Sequence, residues 1–186
     1  WWGADVFWQL SHEEGVTRTL SVEAVARIER CHAYLLSRAS GGDTLYGINT
    51  GFGDLATTRV DDVVVLQRNL LVSHACGVGA PLPTEVVKAM LLLKVKALSQ
   101  GHSGVAVTTV QRLLDHWNAG VLPVVPSQGS LGASGDLAPL AHLVLPLIGE
   151  GEVVMPDGRQ LASSDALREL GWPALELGPK EGLALI

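Results

Sequence analysis

Glycine is placed in this chain so that it decides where regular structure can form. Three of the 21 glycines fall within seven positions of Tyr46-Gly47-Ile48-Asn49-Thr50-Gly51-Phe52-Gly53. A second concentration runs from Gly129 through Ser130-Leu131-Gly132-Ala133-Ser134-Gly135 to Asp136. Each glycine inside a helix or strand costs about 0.5–1 kcal/mol relative to alanine, so both segments read as ordered loops.

The stretches around these loops have helical spacing. Ser21 caps a helix that carries apolar positions 22, 25, 26 and 28 on one side and runs to about Leu36, before the Ser40-Gly41-Gly42-Asp43 turn. Residues 61–75 read as a second helix, with Asp61 and Asp62 complementing its dipole. Thr84 is read as the cap of a helix from Glu85 to Ser99, whose run Ala89-Met90-Leu91-Leu92-Leu93 predicts burial on most faces. A helix over 104–118 closes at Gly120, and Val121 to Pro126 forms an extended bridge. An apolar helix with Pro139 near its start follows the second loop. Glu152 to Leu161 reads as a small hairpin around Pro156-Asp157-Gly158, and Ser164 is read as the cap of a short helix ending at Gly171. The pattern is mainly α with a small β-hairpin.

Composition excludes several classes. Only 17% of the 186 residues are charged while 47% are hydrophobic, which is incompatible with a disordered, solvated chain. A net charge of −6 without a basic run excludes nucleic acid and anionic membrane as expected partners. The longest apolar run, Leu137 to Gly149, contains His142 and two prolines and is too short for a bilayer span. Cys31 and Cys76 make no disulfide framework, and with no secretory signal at the start a reduced, cytoplasmic setting is expected. The histidines at 12, 32, 74, 102, 116 and 142 lack metal-ligand spacing, so no metal is expected.

The second loop admits several chemistries. A phosphate cradle at a helix N-terminus lacks its cation, because no Lys or Arg occurs between Arg112 and Arg159. A hydrolase elbow fails because Asp136 stands where its second glycine belongs. A third use is internal cyclisation. The Gly135 nitrogen attacks the Ala133 carbonyl, Ser134 supplies the departing hydroxyl, and loss of two waters leaves an electrophilic exocyclic methylene. Ala133 adds little bulk and Gly135 permits the close backbone approach.

Three motifs in order, Tyr46 to Gly53, Gln67-Arg68-Asn69-Leu70-Leu71-Val72-Ser73-His74, and Gly129 to His142, closely resemble the aromatic amino acid ammonia-lyase family. The likeness runs from about Ser21 to Ile186; residues 1–20 match weakly. It implies the N-terminal portion of the helical, fumarase/aspartase-like ammonia-lyase fold. It also implies the cofactor 4-methylideneimidazole-5-one (MIO), formed from Ala133, Ser134 and Gly135, with Asp136 assisting ring closure. By the same resemblance Tyr46 is the base that removes the β-proton, Gly53 lies beside the substrate, and His74 helps select an imidazole ring. The nearest branch converts L-histidine to urocanate and ammonia as a homotetramer. Tyrosine or phenylalanine lyases, the related aminomutases, and a truncated module without catalysis are the alternatives.

Residues 1–186 are therefore expected to be a single N-terminal portion of a longer subunit, with a tyrosine loop at 44–54 and a cyclising loop at 127–136. The start without methionine and the apolar run Glu181 to Ile186 support that expectation.

Overall fold

The protein is described here by a computed structural model, which describes residues 9, 12, 15–41, 44–51, 62–132 and 135–186. The main helices are α1 (Val22–Ala39), α2 (Val63–His74), α3 (Thr84–Leu98), α4 (Val107–Ala119), α5 (Leu137–Val144), α6 (Ser163–Leu170) and α7 (Glu181–Leu185). A 3-10 turn, Leu145–Ile148, continues α5. The strands are short: β1 (Val78–Pro81), β2 (Leu122–Pro123), β3 (Pro126–Gln128), β4 (Glu152–Val154) and β5 (Gln160–Ala162). The fold is mainly helical, as the residue pattern requires.

Local chemistry accounts for most helix ends. Ser21 accepts a hydrogen bond from Ala24 N at 3.2 Å, and Asp62 from Val65 N at 3.0 Å, so both satisfy free first-turn donors. Asp61 lies outside the described residues. Gly120 and Gly171 end α4 and α6 in the left-handed conformation. Two expected caps are corrected. Thr84 is already helical behind Pro83, and its hydroxyl turns to Glu85 Oε2 at 3.4 Å. Ser164 is likewise inside α6, which starts at Ser163 behind Ala162 without a side-chain cap. Helix α4 begins at Val107, three residues later than expected, because Gly104 has φ +78° and Ala106 is extended with ψ 152°, and neither torsion is helical.

The core lies between α3 and α4. Leu91, Val95 and Leu98 recur at helical spacing on α3 and meet Val110, Leu113, Leu114 and Trp117 of α4. Leu143 and Leu147 close the cluster from the α5 side. Each fully buried leucine contributes about 1.5–3 kcal/mol relative to an exposed one. Burial of the 89–93 run is less complete than its composition predicts, since Leu93 is 47% exposed and faces a surface cavity.

The expected hairpin exists as β4 against β5, with Val153 opposite Leu161. β2 adds a third antiparallel strand, Leu122 opposite Val154. β3 does not join that sheet. It pairs antiparallel with β1, Val78 opposite Gln128, in a strand pairing that has no counterpart in the sequence reading. Among the described residues, no helix is long and apolar enough to cross a membrane.

Candidate active site

The Tyr46 turn is built from buried polar groups. Ile48 N and Asn49 N donate to Leu45 O at 3.1 and 3.2 Å. The Asn49 side chain accepts from Leu45 N at 2.8 Å, and the Thr50 hydroxyl accepts from Gly47 N at 3.2 Å and donates to Gly51 O at 3.0 Å. Asn49 and Thr50 are buried, whereas the Tyr46 side chain is 55% exposed. The turn is thus inwardly satisfied and presents its phenol outward. Gly53 lies outside the described residues.

His74 is the last residue of α2 and is half-buried. Its Nδ1 lies 2.8 Å from Leu70 O, so Nδ1 carries the proton and donates there, leaving Nε2 as the acceptor face. Ser73 Oγ lies 3.2 Å from the same nitrogen. Gln67 stands on the same helix and donates to Gly47 O at 3.4 Å, so α2 supports both His74 and the tyrosine turn.

The second glycine-rich loop is described on both sides of Ala133 and Ser134, which themselves lie outside the described residues. Gly135 has φ +114° and Gly132 φ +72°, values that side chains rarely adopt, and a Cβ on Gly135 would meet nothing nearer than 3.8 Å. The backbone at Gly135 is therefore turned as only glycine turns readily, with open space around it. Asp136 follows as the residue before α5 and accepts a hydrogen bond from Ser130 Oγ. The N-terminus of α5 adds its positive dipole end.

Asp136 and Ser130 line a cavity of about 450 Å³ between α3 and α5. Tyr46 and His74 do not line it. Lys94 of α3 does, and burial pushes its ammonium down to about 8. The local sequence around Asp136 contains no cation; tertiary packing supplies one from 42 positions upstream (136 − 94). Only the helical spacing of α3, which puts Met90, Lys94 and Ala97 on one face, hints at it in the sequence.

A further unpredicted link joins the two halves of the site. His142 of α5 accepts a hydrogen bond from Gly77 N at 3.0 Å, three residues beyond His74. Burial pushes the His142 pKa down, which keeps Nε2 available as an acceptor. α2 also packs directly on α5 and α7. Among the described residues, no group of three His, Cys, Asp or Glu side chains is placed to hold a metal ion.

Comparison with known proteins identifies the family. The family model for aromatic amino acid lyases matches residues 4–186. A histidine ammonia-lyase of Geobacillus thermodenitrificans is 52% identical over 168 residues, covering 89% of this chain and 33% of that protein. The crystal structure of histidine ammonia-lyase from Trypanosoma cruzi superposes with a TM-score of 0.87 at 43% identity, covering 98% of this chain and 35% of that one. Phenylalanine aminomutase of Pantoea agglomerans reaches a TM-score of 0.90 at 32% identity, with 98% and 35% covered. The chain thus spans about a third of the length of the relatives it matches. With its fold, its tyrosine turn and its glycine-turned loop all falling inside that match, the chain belongs to the aromatic amino acid lyase family.

Proposed function

We propose that this chain is the N-terminal portion of a histidine ammonia-lyase subunit that converts L-histidine to urocanate and ammonia. The reading extends to MIO formed from Ala133, Ser134 and Gly135, a homotetrameric assembly and a cytoplasmic setting. The observation that carries it is the exposed phenol of Tyr46 on a turn whose polar side chains are buried. Relatives that are histidine ammonia-lyases at about half identity support the substrate.

A β-proton of an amino acid is scarcely acidic, so elimination needs a well-aimed base and an improved leaving group. Ala133, Ser134 and Gly135 would hold MIO, which when formed would supply an electrophile that improves the amine as a leaving group. Tyr46 is the base that removes the β-proton, and the internal bonds of its turn limit the directions its oxygen takes. Nε2 of His74 presents an acceptor to an imidazole N–H. Gly53 lies beside the substrate in this reading. Asp136 receives the Gly135 amide proton during ring closure, and the Ser130 hydroxyl orients its carboxylate for that task.

The test is a complete lyase subunit carrying this chain, incubated in parallel with L-histidine, L-tyrosine and L-phenylalanine. Urocanate, followed by its ultraviolet absorbance, is the expected product. Cinnamate-type products or β-amino acids without urocanate would move the assignment to a sibling enzyme. No product from any of the three would leave an assembly module.

A further inference from the structure

We propose that Gln67 is a positioning residue for Tyr46, setting the aim of the phenol by tying its turn to α7. This rests on the reading of Tyr46 as the base. Gln67 is completely buried, and a buried carboxamide is costly unless both of its ends are used. Both are used. Nε2 donates to Gly47 O at 3.4 Å, on the residue that follows Tyr46, and Oε1 accepts from Leu183 N of α7 at 3.3 Å.

The bonds made by Asn49 and Thr50 to Leu45, Gly47 and Gly51 lie within the turn and give it shape. The Gln67 bond is of a different kind, because it reaches another element and gives the turn a place. α7 is itself a fixed reference. The Glu181 carboxylate accepts from Ala106 N at 2.8 Å, Thr109 Oγ1 at 2.6 Å and Gly178 N at 2.8 Å, which pins α7 to the start of α4. The approach of Gln67 to Leu183 depends on a bare backbone at Gly182. A Cβ there would stand 2.7 Å from Gln67 O and 2.9 Å from Gln67 Oε1.

Both Gln67 bonds are longer than the usual length of about 2.7–3.2 Å for an N–H···O bond, so each is weak and small shifts of the turn or of α7 break it. That makes the placement sensitive. Misplacing a reacting group by about 1 Å costs up to about 100-fold in rate.

The experiment uses a complete lyase subunit carrying this chain. Gln67→Met fills the volume and makes neither bond. Gln67→Glu retains the acceptor for Leu183 N and sets an oxygen against Gly47 O. Gly182→Ala keeps the Gln67 side chain but sets a Cβ 2.7 Å from its backbone carbonyl and 2.9 Å from Oε1, so α2 and α7 must part slightly, which gives a second test if the Met variant fails to fold. The expected result is a kcat lowered roughly 10- to 100-fold in the two Gln67 variants and less in Gly182→Ala. KM stays within about twofold, as for loss of a contact that acts only in the transition state. Intact mass still shows the loss of two waters, and combining Gln67→Met with Tyr46→Phe lowers kcat no further than Tyr46→Phe alone.

An unchanged kcat in a folded Gln67→Met, beside an inactive Tyr46→Phe, would overturn the proposal and leave the base assignment standing. A joint loss of kcat and of the two-water deficit would also overturn it, reducing Gln67 to a packing residue. Normal turnover in Tyr46→Phe would overturn the base assignment and the proposal with it.

Discussion

The two glycine-rich loops share a composition and are held in opposite ways. In the first, Gly47, Asn49, Thr50 and Gly51 are buried and tied by side-chain hydrogen bonds, with Gln67 reaching in from α2. In the second, residues 127–132, 135 and 136 are exposed, and Gly132 and Gly135 keep positive φ in open space. Its anchors lie at its edges: β3 pairs with β1 on one side and Asp136 opens α5 on the other. The difference follows from the proposed tasks. A loop that presents a side-chain base needs a rigid frame. A loop whose own backbone reacts needs freedom of approach and firm ends.

The sharpest way to separate the loops is to remove the reactive atom of each. Ser134→Ala deletes the hydroxyl that leaves as water, so in a complete subunit the two-water mass deficit should vanish and turnover fall to background. A persisting deficit would contradict the cyclising triplet. Tyr46→Phe should lower kcat by about 10²- to 10⁴-fold, the range for a lost general base, while the mass deficit remains complete. The two loops would then fail independently. If Tyr46→Phe also abolished the deficit, they would have to be regarded as one unit.

The link between the loops' supports predicts a smaller effect. His142→Leu strands the Gly77 N–H and should destabilise the chain by about 1–3 kcal/mol in denaturant unfolding, whereas His142→Gln, which can offer an acceptor, should recover part of it. Equal losses in the two variants would show that packing and not the hydrogen bond matters there.

Acid should act through the buried histidines. Burial holds His116 down to about 4 against an ordinary 6.5, and its Nδ1 donates to Val121 O at 3.0 Å while Nε2 has no partner. Arg112 opposes protonation and Asp115 favours it, each more weakly than burial, and Trp172 packs edge-on against the ring. The unfolded chain therefore takes up the proton first. Stability should fall as pH drops through 6.5 and level off below about 4. His116→Asn, which can still donate to Val121 O, should flatten that slope in thermal unfolding; an unaltered slope would assign it to other groups such as His142.

Legibility differed between features for physical reasons. Ser21, Asp62, Gly120 and Gly171 act on their own neighbours within a few residues, so their roles as helix ends were readable directly. Thr84 and Ser164 carry the right side chains but are the first and second residues of their helices, and a hydroxyl alone does not say where the helical backbone begins. β1 was not readable because Gly77, Gly79 and Pro81 leave no alternation. Its extended form depends on pairing with β3, 48 positions further on (126 − 78).

The same division runs through the site. Tyr46, His74 and the Ala133-Ser134-Gly135 triplet were legible as candidates because each belongs to a local motif, and the turn of the first and the ring of the second are shaped by bonds spanning at most four residues. Lys94 in the cavity that Asp136 also lines, His142 bonded to Gly77 N and Gln67 between the tyrosine turn and α7 come from packing. Sequence by itself singled out the candidate reactive groups and the segments that must bend, because those are properties of side chains and of backbone torsion. Tertiary structure decided what supports them, because a buried amide or ammonium finds its surroundings only when distant elements close around it.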